Sequence, residues 1–194
     1  MKTVPAWLCC ALLATPALAG ELFEQPRSVV QAQAVLDRAM PDAGRVEVLR
    51  GRYRQQKYLS EVPRPLESAG EFLMVRDLGI WWHTQTPRES ELTLTARGRG
   101  QPGLLLALFV LDLEALARHF DLFVTEPGPN WLLGLRARDA AVAAVFRQVI
   151  VSGGKRVEHV TLLETTGDRT DIALDAAPQP LSSLTPTERE RLER

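Results

Sequence analysis

Cysteine is almost absent from this chain of 194 residues, which holds only Cys9 and Cys10. Both lie within the first twenty residues, without the small residues that precede a lipid-modified cysteine. The rest of the chain therefore has no disulfide framework, no thiol nucleophile and no thiolate metal ligand. Its stability must come from an ordinary hydrophobic core, and about 175 residues are enough for one domain with such a core.

The first nineteen residues have the layout of a cleavable leader. Lys2 supplies the positive charge, Val4–Leu13 is apolar but too short to cross a bilayer, and Ala17-Leu18-Ala19 is a small-x-small cleavage site. We therefore predict a signal peptide over residues 1–19, with cleavage near Ala19. The missing cysteines favour a bacterial periplasm over an extracellular medium, where small folds depend on disulfides.

An excess of charge and a long hydrophobic run are also lacking. Without Lys2, 22 of the 23 basic residues remain against 24 acidic ones, which gives a net charge of −2. This is not the excess of positive charge that is typical of proteins that bind nucleic acid. The longest apolar run after the leader covers residues 104–111 and is too short for a membrane span. The mature chain is therefore expected to be an exported protein that binds no nucleic acid.

The first half of the chain predicts one helix and then strands. Ser28 can cap a short amphipathic helix that runs to Met40 and is ended by Pro41. The apolar period then changes to two, and turn residues separate the segments, which indicates successive antiparallel strands. These strands are predicted over Val46–Leu59, Gly70–Arg76, Ile80–Thr86 and Glu91–Arg97.

The second half begins with a helix, predicted over Leu104–Phe120, whose first two turns have no polar stripe. A helix that is apolar on all sides must be covered on several of them. Five more strands follow, and the chain ends in a polar tail from about residue 175 to 194, with a short helix starting near Thr185. The five strands are predicted over Leu122–Thr125, Trp131–Arg138, Val145–Ser152, Arg156–Thr165 and Asp171–Leu174. We predict a single α+β domain over residues 20–194.

The sequence lacks the residue patterns of common metal-binding, nucleophilic and phosphate-binding sites. The histidines, His83, His119 and His159, lack the short spacings of a metal site. Ser152 lies in a hairpin sequence rather than in a Gly-x-Ser-x-Gly elbow. The glycines near residue 100 lack the setting of a phosphate loop. We therefore expect no enzyme, no metal and no cofactor.

The strands over residues 70–86 are apolar on both faces. Phe72, Met74 and Arg76 alternate with Leu73 and Val75, and Ile80 and Trp82 alternate with Trp81. One interpretation is a strand packed between two layers. The other is a curved sheet with one face lining an apolar cavity that the helix over residues 104–120 closes. The second interpretation predicts a cavity lined by Phe72, Met74, Ile80, Trp82, Leu105, Leu108 and Phe109.

Three short motifs, in their order along the chain, resemble motifs of the LolA family of periplasmic outer-membrane lipoprotein carriers. They are Gly51-Arg52-Tyr53-Arg54-Gln55, the strand from Gly70 to Arg76, and Ile80-Trp81-Trp82-His83. The element order is also similar, with a leader, a helix, four strands, an apolar helix and further strands. The resemblance covers nearly the whole mature chain, and its specificity comes from the order and spacing of the motifs.

The resemblance implies an incomplete, half-open antiparallel β-barrel with helices as a lid over an apolar cavity. It also implies a monomeric carrier of acylated lipoproteins, loaded by an inner-membrane ABC-type release complex and unloaded onto an outer-membrane acceptor. Arg76 matches the arginine that holds the lid, Ile80 matches a hydrophobic cavity residue, and Trp82 matches a strand tryptophan.

One departure from the family keeps other interpretations open. Between Thr95 and Leu104 this chain has only a short Gly-Arg turn, where better-known members carry an extra hairpin. A carrier of another acylated lipid, derived from a fatty acid or a polyketide, is therefore the main alternative. A lipoprotein-sensing regulator usually has a further domain, for which this chain is short. A lipid hydrolase would need a nucleophile and base that the sequence does not offer.

Overall fold

The computed structural model describes residues 22–43, 46–95, 101–126 and 130–193, and it does not describe the side chains of residues 101–103 and 105. The predicted signal peptide and residues 96–100 of the short turn lie outside the described residues. The first half of the described chain contains one helix and four strands. They are α1 (Val29–Ala39), β1 (Val48–Tyr58), β2 (Leu66–Val75), β3 (Gly79–Thr86) and β4 (Ser90–Thr95).

The second half contains three short helices, five strands and a C-terminal helix that follows a 3-10 turn at Leu181–Ser183. The first two helices are α2 (Gln101–Val110) and α3 (Leu113–Ala117). The strands are β5 (Phe120–Thr125), β6 (Trp131–Ala137), β7 (Phe146–Gly153), β8 (Val157–Glu164) and β9 (Arg169–Gln179). Between β6 and β7 lies α4 (Ala140–Ala143), and the last helix is α5 (Pro186–Glu193).

All nine strands form one antiparallel sheet in the order β4-β3-β2-β1-β9-β8-β7-β6-β5. The edge strands β4 and β5 do not pair with each other in the described part of the chain, so the sheet is not closed into a barrel. One cluster of buried side chains unites β1 and β2 with β5 to β9, so the sheet curves around a shared core. Of the predicted half-open barrel with a lid, the antiparallel sheet that is not closed into a barrel is confirmed, and the lid stays a prediction.

The first helix has the predicted N-cap. The Ser28 hydroxyl accepts a hydrogen bond from the backbone N–H of Gln31 at 3.3 Å, and the Gln31 side chain accepts one from the Ser28 N–H at 3.0 Å. This reciprocal pair satisfies two N–H groups that the helix leaves free. Met40 caps the other end. The helix packs against β5 and α3.

The prediction of one helix over Leu104–Phe120 is wrong, because the chain breaks at Leu111. This residue has a φ of +54°, in the left-handed region that ends a helix. Asp112 then accepts a hydrogen bond from the N–H of Ala115 at 2.9 Å and starts α3. Phe120 already belongs to β5. The apolar segment therefore forms two successive helices, of which α2 contacts β4 and α3 contacts β5.

Both faces of the sheet are covered, as the two-faced strands predict. We call the face that carries Tyr53 and Phe72 the inner face; α1, α2 and α3 pack over it. On the outer face, Leu73, Val75 and Trp81 form a separate cluster with Val48 and with Leu192 of α5. A third cluster on the outer face packs the segment before α1 against β5. The interpretation of the strands over residues 70–86 as packed between two layers therefore describes the fold on both faces.

The predicted polar tail contributes the end of β9 and the helix α5. Leu192 is only 1% exposed. Glu188 accepts a hydrogen bond from the Arg50 guanidinium at 2.5 Å, and the Arg191 guanidinium lies 4.4 Å from the centre of the Trp81 ring. The ion pair with Arg50 and the hydrogen bonds from Thr185 lower the pKa of Glu188 to about 2.

The ion pair between Glu188 and Arg50 predicts how the stability of the docked helix depends on pH. Because the folded pKa of Glu188 lies below the ordinary value of 4.5, the pair stabilises the fold above about pH 4.5 and is lost as the pH falls towards 2. Glu188→Gln should therefore lower the melting temperature at about pH 7, and the difference from wild type should shrink towards zero near pH 2. An equal difference at both pH values would contradict this.

Candidate ligand-binding cavity

A cavity of about 890 Å³ lies between the inner face of the sheet and the helices α1 and α2. Its volume is at the upper end of the range of about 300–1,000 Å³ for small-molecule sites. The sheet contributes Leu49, Phe72, Met74, Ile80, Val157 and Leu174 to its wall. The helices and the residues beside them contribute Leu36, Met40, Leu104, Leu106, Ala107, Phe109, Val110 and Leu111. The wall of the cavity is therefore mostly apolar.

Strand alternation and strand register determine which residues of the sheet line this wall. Phe72 and Met74 are two residues apart on β2, so both side chains point to the inner face. Met74 pairs with Ile80 across the antiparallel ladder, and Phe72 pairs with Trp82. The opposite wall needs no such alternation, because α2 is apolar on all sides and can face the cavity while also packing on β4 and α3.

Four of the predicted ligand-binding residues line the cavity, namely Phe72, Met74, Ile80 and Phe109. Trp82 is not part of the cavity wall but packs against two residues of it, with its ring centre 5.6 Å from that of Phe72 and 5.4 Å from that of Phe109. Trp82 also packs against the Tyr53 ring at 4.0 Å. Trp82 and Tyr53 therefore lie behind the Phe72 and Phe109 rings of the wall.

Two of the predicted ligand-binding residues stand elsewhere. Leu108 is buried in the core and is not part of the cavity wall. The side chain of Leu105 lies outside the described part of the structure. Of the lining residues that were not predicted, Leu36 and Met40 share the apolar face of α1, and Leu49 has the parity of Tyr53 on β1. These two patterns could have identified them, whereas Val157 and Leu174 become lining residues only through the long-range order of strands.

Arg76 follows the end of β2 and lines the cavity at its rim. Its side chain is exposed, and it donates hydrogen bonds from Nε to the Val46 carbonyl at 3.0 Å and from Nη2 to the Ala43 carbonyl at 2.7 Å. Both acceptors belong to the connection between α1 and β1. Arg76 therefore fastens the connection that follows α1 to the sheet, and makes no such bond to the described part of α2. Its predicted role as a lid latch stays a prediction.

Charged residues surround the opening of the cavity. Arg76, Arg118, Lys155 and Arg156 contribute positive charge, and none of them forms an ion pair with another described residue. Four aspartates also line the cavity, and two of them have acceptor roles within their own helices: Asp37 accepts from Gln33, and Asp112 caps α3. The aspartates are Asp37, Asp42, Asp77 and Asp112.

His119 is the one titratable imidazole at the cavity rim within the described residues. Its Nδ1 lies 3.1 Å from the Asp139 carboxylate. The backbone N–H of Ala141, and after it His119, lower the pKa of Asp139. No serine, threonine or cysteine lines the cavity beside this pair, so the described residues show no nucleophile for His119 to activate.

The described residues contain no group of three or more histidine, aspartate or glutamate side chains placed to hold a metal ion. Within the same residues, every helix is too short or too polar to cross a membrane.

Comparisons with known proteins give a similarity of fold alone. No protein-family model and no curated protein matches the chain. Among solved structures, the MucA/MucB complex of Pseudomonas aeruginosa is similar at 14% identity and a TM-score of 0.42, covering 78% of this chain and 60% of that chain. This chain thus spans about 60% of the length of that neighbour.

Two other structures are similar over nearly their whole length. A putative outer membrane lipoprotein-sorting protein domain from Vibrio parahaemolyticus is 8% identical, with a TM-score of 0.41, covering 85% of this chain and 98% of that chain. A LolA superfamily protein from Nitrosomonas europaea is 10% identical, with a TM-score of 0.34, covering 77% of this chain and 94% of that one. Similarities at these TM-scores assign no function to this chain.

Proposed function

We propose that this protein is a carrier that shields an acyl chain from water in the cavity between the sheet and its helices. The observation that supports the proposal is the apolar wall of a cavity of about 890 Å³ with a charged rim. Each CH₂ group that leaves water contributes about 0.8 kcal/mol. Burial in such a cavity therefore lowers the free energy of an acyl chain enough to keep it in solution. A part of the acyl chain that stays at the rim is not buried, which keeps the affinity low enough for release.

In its more specific form, the proposal is that the protein carries an acylated lipoprotein in the periplasm. The carrier would receive it from an inner-membrane ABC-type release complex and pass it to an outer-membrane acceptor. The resemblance of the motifs around Arg76 and Trp82 supports this form. A free acylated lipid, derived from a fatty acid or a polyketide, is the second candidate, and the short connection after Thr95 favours it because the extra hairpin of the better-known members is missing.

A displacement experiment tests both forms of the proposal. The mature chain should bind the neutral, environment-sensitive dye N-phenyl-1-naphthylamine with increased fluorescence. A fatty acid and a peptide with an acylated N-terminal cysteine are the two competitors, with the same peptide without acyl groups as the control. Displacement by the acylated peptide alone favours the lipoprotein cargo, and displacement by the fatty acid favours a free lipid. Failure of every acylated competitor to displace the dye would contradict the proposal.

A further inference from the structure

Two adjacent cations lie at the rim of the cavity in the turn between β7 and β8. Lys155 and Arg156 both line the cavity, and neither makes an ion pair or a side-chain hydrogen bond with another described residue. Elsewhere on the sheet a lysine in reach of a carboxylate is paired, as in the bond of 2.9 Å from Lys57 to Glu164. The cations of the turn are therefore available for a group that the chain itself does not supply.

The turn that carries these cations is held firmly. Trp131, which is fully buried, donates a hydrogen bond from its indole N–H to the Gly154 carbonyl at 2.9 Å. A side chain at Gly153 would collide with the carbonyl of Arg156, so the backbone is tightly packed at this point. Val157, the next residue, belongs to the core. A fixed backbone limits the entropy lost when the two side chains bind a ligand.

Strand direction places this turn beside the opening of the cavity. The start of β1 pairs with the end of β2 and with the end of β9, as the pairs of Val48 with Val75 and with Gln179 show. Since β8 is antiparallel to β9, its start lies at that same end of the sheet. Arg76 therefore stands at the same end as Lys155 and Arg156. No aspartate of the cavity wall forms an ion pair with either residue of the turn.

We infer that the cavity takes an amphiphile whose head is an oxyanion, a carboxylate or a phosphate, bound by Lys155 and Arg156 while its acyl chain enters the apolar cavity. The inference rests on the proposed function, because it needs an acyl chain in the cavity. Charge-assisted hydrogen bonds from ammonium and guanidinium groups are stronger than neutral ones. A triacylated N-terminal cysteine has no ionised group at its lipid end, because its amine is an amide and its glyceryl hydroxyls are esters. The two charges therefore favour the second candidate cargo, a free lipid with an anionic head, over a lipoprotein anchor.

The test compares amphiphiles with the same acyl chain and different heads. Palmitate, 1-palmitoylglycerol 3-phosphate and the neutral 1-monopalmitoylglycerol would compete for the dye below their micelle concentrations, at low salt and at about 0.5 M salt. The wild type should bind at least one anionic competitor about tenfold more tightly than the neutral one, a difference of about 1.4 kcal/mol. High salt should reduce this preference, and the better anionic competitor identifies the head as carboxylate or phosphate.

Two double variants complete the test. Lys155→Gln/Arg156→Gln should lose the preference for anionic heads and keep the affinity for 1-monopalmitoylglycerol. The matched control, Arg52→Gln/Arg54→Gln, removes two exposed cations from the outer face of β1 and should keep the preference. Equal affinities of the wild type for neutral and anionic competitors, or a preference that survives in Lys155→Gln/Arg156→Gln, would overturn the inference and leave the carrier function standing. If no competitor displaces the dye, the carrier function and this inference both fail.

Discussion

Phe109→Glu is expected to weaken binding of a neutral apolar ligand at least tenfold while the protein remains folded. Phe109 lines the cavity from α2, and its ring packs against Trp82. A carboxylate at this position would have to lose its water when a ligand enters, and an unpaired charge in apolar surroundings costs several kcal/mol. In the empty protein the carboxylate can keep its water, and glutamate is a good helix former. The substitution should therefore affect binding more than folding.

Two further variants serve as controls for this prediction. Val30 on α1 is 79% exposed, so Val30→Glu places the same charge on a helix away from the cavity wall and should bind the dye as wild type does. Phe109→Leu keeps an apolar wall and should retain most of the affinity. Dye titration measures binding, and thermal unfolding confirms that each variant is folded. Wild-type affinity in folded Phe109→Glu would place the ligand outside this cavity.

Arg76→Leu is expected to slow release of a bound acyl chain about tenfold. The substitution removes the two hydrogen bonds to the carbonyls of Ala43 and Val46, which fasten the connection after α1 to the end of β2. It also adds apolar surface to the cavity rim. Both changes favour an open, loaded state over the empty one, and a shift of about 1.4 kcal/mol accounts for a tenfold change if it falls on the dissociation rate.

Transfer of a fluorescent fatty acid from the protein to acceptor vesicles measures this release. Arg76→Lys keeps the charge but cannot donate to both carbonyls with one planar group, so its rate should lie between those of wild type and Arg76→Leu. Arg52→Leu on the outer face provides a control for loss of an exposed arginine. Equal transfer rates in wild type and Arg76→Leu would remove Arg76 from the release step.

Local patterns in the sequence predicted most of the secondary structure. The cap at Ser28 and the period of two in β1 and β3 depend on neighbouring residues, so these elements appear close to their predicted positions. The break at Leu111 was not predicted because a left-handed leucine has no sequence signature. Asp112 before Leu113-Glu114-Ala115 could have been recognised as a second N-cap. The helix α4, with four residues after Asp139, is too short to show a period.

The candidate site was predictable where it follows from the apolar pattern of a single element. Phe72 and Met74 on β2, Ile80 on β3 and Phe109 on α2 were assigned to a cavity from such patterns, and they line it. The cations of the turn after Gly153 were not assigned, because a turn with Lys and Arg between two strands is typical of any solvated hairpin. Their place at the rim depends on the pairing of β1 with β9, which joins the two ends of the chain and has no local signal.

The pairing of β1 with β9 also constrains when the protein can complete its fold. Each half of the sheet is a meander of neighbouring strands, and the two meet at one seam, where Gly51 pairs with Ala176. The seam tolerates no side chain at Gly51, which would collide with the Asp175 carbonyl. A contact between residues so distant in sequence closes a long loop and forms late. The two halves of the sheet therefore cannot pair until β9 is available. The wall of the cavity takes Leu49 from one side of the seam and Leu174 from the other, so the cavity exists only after that step.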